Sequence, residues 1–128
     1  MDIRPGLTSS ATLTVAEPDT ALFMGSGDVP VLSTPRVVAL AEQAACEAVA
    51  GVLDPGITTV GSEVQLTHLA ASPIGREVTA EAMLESAEGR KLAFRVTVSD
   101  ARGLVAVGRI HRVVVVRDRF LERADGDA

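Results

Sequence analysis

The chain has 128 residues, a net charge of −5 and 47% hydrophobic residues, with three phenylalanines as its only aromatics. This length suits one domain and allows a core without disulfide staples, built from Val, Leu, Ile and Ala. The acidic balance leaves no basic footprint for phosphate backbones, and the few aromatics offer no stacking platform, so no nucleic-acid partner is expected.

Cys46 is the single cysteine. Neither a disulfide framework nor a cysteine-based zinc site is expected within one chain. Residues 1–20 lack the apolar run of a signal peptide, and no window approaches the ~20 apolar residues of a membrane helix. The expectation is a soluble, cytoplasmic protein with no membrane partner.

In chain order, Met1 to Ser10 carries no pattern and reads as loose. Ala11 to Ala16 alternates Ala, Leu and Val with Thr, which predicts a first strand ended by Pro18 and Asp19. Residues 24–33, with Gly25, Ser26, Gly27, Asp28 and Pro30, read as a mobile loop. Ser33-Thr34-Pro35 then marks a helix start. Either hydroxyl can cap the first turn, and proline suits the first helical position because its missing N–H would be unpaired there.

From Arg36 to Val52 there is no proline, and Val38, Ala41, Ala45, Ala48, Val49 and Val52 form one stripe at helical spacing. Arg36, Gln43 and Glu47 fall opposite. Glu42 lies about 80° round from Thr34, at the margin of the buried stripe. A carboxylate there needs a partner, water or a function. Cys46, beside alanines, fits a small buried residue better than a nucleophile. Asp54-Pro55-Gly56 turns the chain out of the helix.

Four strands follow. In Val60 to Ala70 the even positions Val60, Val64, Leu66, His68 and Ala70 share one face, opposite Glu63, Gln65 and Thr67. In Arg76 to Glu85 the even set Val78, Ala80, Ala82 and Leu84 is apolar. After the turn Ala87-Glu88-Gly89, Leu92, Phe94, Val96 and Val98 oppose Lys91, Arg95, Thr97 and Ser99. Asp100-Ala101-Arg102-Gly103 is another turn. One wet and one dry face per strand indicates an antiparallel sheet covered on one side. The last strand, Leu104 to Val116, is apolar on both faces, as for a central strand or one at a subunit interface. Arg117 to Ala128 reads as a charged, fraying tail.

The order β-α-β-β-β-β predicts an α+β fold, one domain over 1–128 with its core at about 11–117. Both apolar surfaces are buried when the long helix lies across a curved antiparallel sheet.

Several residues stand out chemically. Thr34 is either a helix cap or a hydroxyl at the positive end of the helix dipole, where a developing oxyanion would be stabilised. Glu42 is either an edge residue paired with an arginine or a partly buried base or nucleophile. His68 points to the face that meets the helix, as a hydrogen-bonded core residue or a partner of Glu42. Thr, Glu and His converging beneath a loop would make an acyl-transfer site. Arg112, sharing its face with Leu104 and Ile110, needs an anion. Gly61, inside a strand, indicates close approach by a ligand or another chain. His111 reads as structural. Gly25-Ser26-Gly27 lacks the setting of a phosphate loop, and no metal-ligand cluster is present.

V-Q-L-T-H-L-A-A-S-P-I-G from Val64 to Gly75, together with Glu88-Gly89-Arg90-Lys91-Leu92 and Gly108-Arg109-Ile110-His111-Arg112, resembles the hot-dog-fold acyl-CoA thioesterases. Within these it is similar to the subgroup typified by fluoroacetyl-CoA thioesterase. The T-H-x-A-x-S-P-x-G run is the most specific part, and the resemblance covers about residues 30–117. It implies catalysis by a Thr, a Glu and a His, matched by Thr34, Glu42 and His68. It also implies substrate contacts at Gly61 and Arg112, and a homodimer whose sheets join edge to edge. The implied reaction is hydrolysis of an acyl-CoA to free acid and CoA, with no cofactor beyond the CoA of the substrate. Residues 24–33 contain no aromatic, whereas fluoroacetyl-specific members cover their pocket with phenylalanines there, so the acyl group stays open. The rival readings are a non-catalytic acyl-CoA sensor and an enoyl-thioester hydratase.

Overall fold

A computed structural model describes residues 1–126. Five strands form one curled antiparallel sheet: β1 (Thr8–Thr14), β2 (Ile57–His68), β3 (Glu77–Glu88), β4 (Lys91–Asp100) and β5 (Gly103–Val116). Their spatial order is β1-β3-β4-β5-β2, so β1 and β2 are the edges and β5 is interior. An interior place accounts for the apolar run of β5. A 3-10 turn (Glu17–Asp19) and a short helix α1 (Ala21–Met24) precede the long helix α2 (Thr34–Ala50), and α3 (Arg117–Ala124) ends the described chain.

The helix α2 lies on the inner face of the sheet and packs chiefly on β1 and β3. Its buried side is Val37, Leu40, Ala41, Ala44, Ala45, Ala48 and Val49. Four alanines let the helix axis sit close to the strands. The volume that fills the core then comes from the sheet, from Phe94, Leu84, Leu92, Ile110 and the inward valines. This is the hot-dog arrangement, a long helix wrapped by a curved sheet.

Three β-bulges decide which side chains face the helix. The side-chain period of a strand is two, so each extra residue flips everything beyond it. Register shifts occur at Gly61/Glu63 in β2, at Leu84/Ser86 in β3 and at Val98/Ser99 between β4 and β5. In β2 the extra residue is Ser62. Thr59 and Gly61 pair with the inward Val114 and Arg112, while Val64, Leu66 and His68 pair with Ile110, Gly108 and Ala106. Odd residues before the bulge and even residues after it therefore share the helix side.

Several expectations are corrected. Val60 lies opposite His68, because Ser62 shifts the phase between them. Leu104 pairs with Ser99 on the outer side and does not share the face of Arg112. The buried stripe of α2 is centred on Val37, Leu40 and Ala44, with Val38, Cys46 and Val52 half-buried. The first strand begins at Thr8, so residues 8–10 are not loose; they hydrogen-bond along β3 in register with Met83, Ala82 and Glu81.

The segment 24–33 is also tied down at its ends. Ala21 N donates to Val31 O (2.9 Å), Leu32 N to Ser72 O (2.8 Å) and Ser33 N to Asp19 O (2.9 Å). The tail is helical from Arg117 to Ala124, because alternating charge around Phe120 and Leu121 gives an amphipathic turn. The remainder of the tail expectation, on residues 127–128, lies outside the described residues. No described helix is long and apolar enough to cross a membrane.

Candidate active site

Helix α2 and strand β2 are bridged by polar side chains at two points. Ser33 is the N-cap, its Oγ accepting from Arg36 N at 3.2 Å. That leaves the hydroxyl of Thr34, the first helical residue, free to turn toward the sheet. Its Oγ1 lies 2.8 Å from Nδ1 of His68, the last residue of β2. The chain just past His68 is fixed by the bulged Val105, whose carbonyl accepts from Leu69 N (2.7 Å) and Ala70 N (3.3 Å).

Nε2 of His68 is buried and has no hydrogen-bond partner among the described residues. Buried polar atoms are nearly always paired, so this nitrogen stands out among the described residues. When Nδ1 accepts the Thr34 proton, Nε2 carries the ring proton and is a donor. Thr34 and His68 line an open cleft of about 310 Å³ whose wall mixes polar groups, Ser26 and Ser33 among them, with the apolar Val29, Val31, Leu69 and Ala70. That volume is at the lower end of small-molecule sites.

The second point lies two helical turns on, about 12 Å from Thr34 by the helix rise. Glu42 Oε2 accepts from Arg112 Nη1 at 3.0 Å. Arg112 is only 8% exposed, and Glu42 keeps 33% of its side chain exposed. Arg112 also donates from Nε to Thr59 Oγ1 (2.9 Å) and from Nη2 to Thr59 O (3.0 Å). Gly61 lies against both charged groups. An added β-carbon there would meet Glu42 Oε2 and approach Arg112 Nη1 to 3.3 Å. The close approach anticipated at Gly61 thus includes one from within the chain.

Thr34 with His68, and Glu42 with Gly61 and Arg112, share one side of the sheet, but no hydrogen bond joins the two groups among the described residues. Between them on β2 lie Val64 and Leu66, facing the same way, and Val64 is still 38% exposed. The arrangement is an apolar strip with a Thr–His pair at one end and a carboxylate at the other.

Thr59 was not among the residues singled out from sequence. The strand predicted from sequence starts at Val60 and leaves Thr59 outside it, whereas β2 begins at Ile57. The Gly61-Ser62 step inside an otherwise regular strand was the available signal. Gly108 was also missed. It lies across from Leu66, where a β-carbon would meet the Gln65 carbonyl.

Other residues lie apart from this side. His111 faces outward, in register with Glu63 and Ala93. On the same outer face the Glu85 carboxyl is held below the usual glutamate range. Its hydrogen bond from Arg109 (2.9 Å) is the main cause, with the charges of Arg109 and Arg95 adding to it against partial desolvation. Among the described residues no three His, Cys, Asp or Glu side chains come together as a metal site.

Comparison with known proteins shows the family and the fold. A profile of the family described as fluoroacetyl-CoA-specific thioesterase matches residues 15–118. The fluoroacetyl-CoA thioesterase of Streptantibioticus cattleyicolor is 38% identical over 90 residues, 70% of this chain. The match spans 65% of that relative's length, just under two thirds. A solved structure of fluoroacetyl-CoA thioesterase superposes with a TM-score of 0.92 at 29% identity, covering 100% of this chain and 99% of its own. A Thermus thermophilus hypothetical protein of the thioesterase superfamily gives 0.84 at 28% identity, covering 98% of each chain. With the profile running from the end of β1 to the start of α3, over a sheet and helix that superpose throughout, the chain belongs to the fluoroacetyl-CoA-specific thioesterase family.

Proposed function

We propose that the protein is an acyl-CoA thioesterase that hydrolyses a thioester with water to a free acid and CoA. The observation that carries this reading is the contact between Thr34 Oγ1 and His68 Nδ1 at the wall of an open cleft, with Glu42 on the same side of the sheet. In the proposed reaction the Glu42 carboxylate either attacks the thioester carbonyl, breaking the C–S bond to release the CoA thiolate and leaving a mixed anhydride that water then hydrolyses, or takes a proton from a water that attacks the carbonyl directly. His68 Nε2–H donates a hydrogen bond to the carbonyl oxygen as it gains charge or to the departing thiolate, which takes its proton from water. Thr34 holds the imidazole in the tautomer that does so. These are side-chain roles, and the reading assigns no cofactor beyond the CoA of the substrate.

The apolar, non-aromatic wall formed by Val29, Val31, Leu69 and Ala70 favours an aliphatic acyl group. Among the described residues strand β2 is a sheet edge, paired on one side with β5. An unpaired edge offers a row of free backbone groups to a second copy, which supports a homodimer. A cytoplasmic setting fits an acyl-CoA substrate.

The test is thiol release over a panel of acetyl-, fluoroacetyl-, short-chain, long-chain and aromatic acyl-CoAs. Turnover of at least one member is expected. Binding without turnover across the panel would make the protein an acyl-CoA sensor. Consumption of an enoyl-CoA without thiol release would make it a hydratase.

A further inference from the structure

Arg112 carries five N–H donors in one rigid plane. Thr59 takes its whole side edge, with Oγ1 accepting from Nε at 2.9 Å and the backbone O accepting from Nη2 at 3.0 Å. The remaining nitrogen, Nη1, reaches Glu42 Oε2 at 3.0 Å. Both Thr59 and Arg112 are 8% exposed, so these bonds are made largely out of water, where they constrain geometry more strongly. A two-point contact on one edge prevents the guanidinium from turning about its own stem. Where Nη1 sits, and hence where the carboxylate of Glu42 sits above Gly61, follows from that contact.

The residue type supports the same view. Position 59 lies on the inward face beside Val114. Packing alone would be met by valine, which has nearly the same shape, equal fitness for a strand and no hydroxyl to satisfy. The hydroxyl at 59 has the Arg112 Nε as its hydrogen-bond partner.

We propose that Thr59 is a positioning residue for Glu42, acting through Arg112. The inference rests on Glu42 being the reacting carboxylate. Thr59 touches no substrate. It fixes the orientation of the guanidinium, and the guanidinium holds the Glu42 carboxylate through Oε2, leaving Oε1 to react. Removing the hydroxyl leaves a buried N–H unpaired and lets the guanidinium rotate.

The experiment compares Thr59→Val and Thr59→Ser, using the full chain, an acyl-CoA that the wild type turns over, and thermal melts to confirm folding. Thr59→Val is expected to lower kcat by about 10- to 100-fold with KM changed less than about threefold, since a misplaced reacting group costs rate more than binding. Thr59→Ser, which keeps the acceptor, is expected to recover kcat to within about threefold of wild type. A cycle with Glu42→Asp separates positioning from a general packing role. In that shortened background Thr59→Val is expected to cost less than about threefold more, because the contact it supports is already broken.

Wild-type kcat in Thr59→Val overturns the inference. So does Thr59→Ser no better than valine, or the full valine cost recurring on Glu42→Asp. If Thr59→Val melts below the assay temperature, Thr59→Ala is judged by the same three criteria. Glu42→Gln with full turnover would instead remove the catalytic reading itself. Loss in Glu42→Gln beside an unaffected Thr59→Val removes only the role of Thr59.

Discussion

The carboxylate of Glu42 rests directly on the backbone of Gly61. A β-carbon at 61 would meet Oε2 and lie 3.6 Å from Cδ of Glu42 and 3.3 Å from Arg112 Nη1. Glycine is therefore needed here for room, so that a charged pair can close over a strand. Gly61→Ala is expected to push the carboxylate off its position. We expect kcat/KM to fall about 100-fold, the scale of a reacting group moved by an ångström. Thiol-release kinetics with a melting curve check this; full activity in a folded variant would show that the position of Glu42 is unimportant.

Glu42→Gln keeps the shape of the side chain and removes its charge. Loss of a positioned acid–base group costs about 10²–10⁴-fold in rate. Because Arg112 is buried, this variant also loses a charge-assisted hydrogen bond, at a cost of about 1–3 kcal/mol in stability. The matched control is Glu47→Gln. Glu47 is exposed and, among the described residues, its side chain accepts only from Gln43 Nε2, at 3.2 Å. Its replacement should leave rate and melting temperature near wild type. Equal rates for the two variants, both folded, would defeat the proposed chemistry.

At Gly108, β2 leaves no room on β5 for a side chain. A β-carbon there would meet the Gln65 carbonyl and lie 2.8 Å from Leu66 Cα, and both are backbone atoms that cannot swing aside. Gly108→Ala should force β2 away from β5 and destabilise the fold by about 1–3 kcal/mol, as overpacking does. Chemical denaturation measures the loss. Because β2 carries both Gly61 and His68, activity should drop as well.

Hydrogen exchange tests the anchoring of the segment before α2. Leu32 N and Ser33 N donate to Ser72 O and Asp19 O, whereas the amides of Gly27 and Asp28 donate to no backbone carbonyl among the described residues. Exchange should be fast at residues 27–28 and slow at 32–33. Uniformly fast exchange over 24–33 would mean that the bridges to Ser72 and Asp19 do not hold in solution.

The outer face gives a pH prediction. Arg95 and Arg109 stand directly across from each other, and Glu85 bonds to both, at 3.5 Å and 2.9 Å. The carboxyl of Glu85 is held below its ordinary range, first by the hydrogen bond from Arg109. A lowered folded value means that ionised Glu85 favours the fold at neutral pH. This contribution starts to decline below the unfolded value of about 4.3 and is lost as pH falls through the folded one. The melting temperature of wild type should exceed that of Glu85→Gln at pH 7, and the gap should close in acid. The gap should also shrink with added salt, since the pair is screened by solvent. A gap that persists at low pH would assign the effect to packing.

By itself the sequence determined what local chemistry can encode. The helix start at Ser33-Thr34-Pro35, the alanine-rich stripe, the alternation within each strand and the turns at Asp54-Pro55-Gly56 and Asp100 to Gly103 are properties of neighbouring residues. They lead to one helix on one antiparallel sheet. The T-H-x-A-x-S-P-x-G run carried the likeness to the family, because the spacing of residues within one run is itself local information. The tertiary structure decided which faces meet. One inserted residue, Ser62, places Thr59 and Gly61 on the same side as His68, and no periodicity within a single strand shows a flip that exists only relative to β5. Likewise, Ser33 rather than Thr34 became the cap, which freed Thr34 for His68, a residue 34 positions away. Arg112 found its anion across 70 positions of chain, in Glu42. Partners that far apart are chosen by the packing of α2 against the sheet, where a buried charge must be paired. The sequence supplies both charges but not the distance between them.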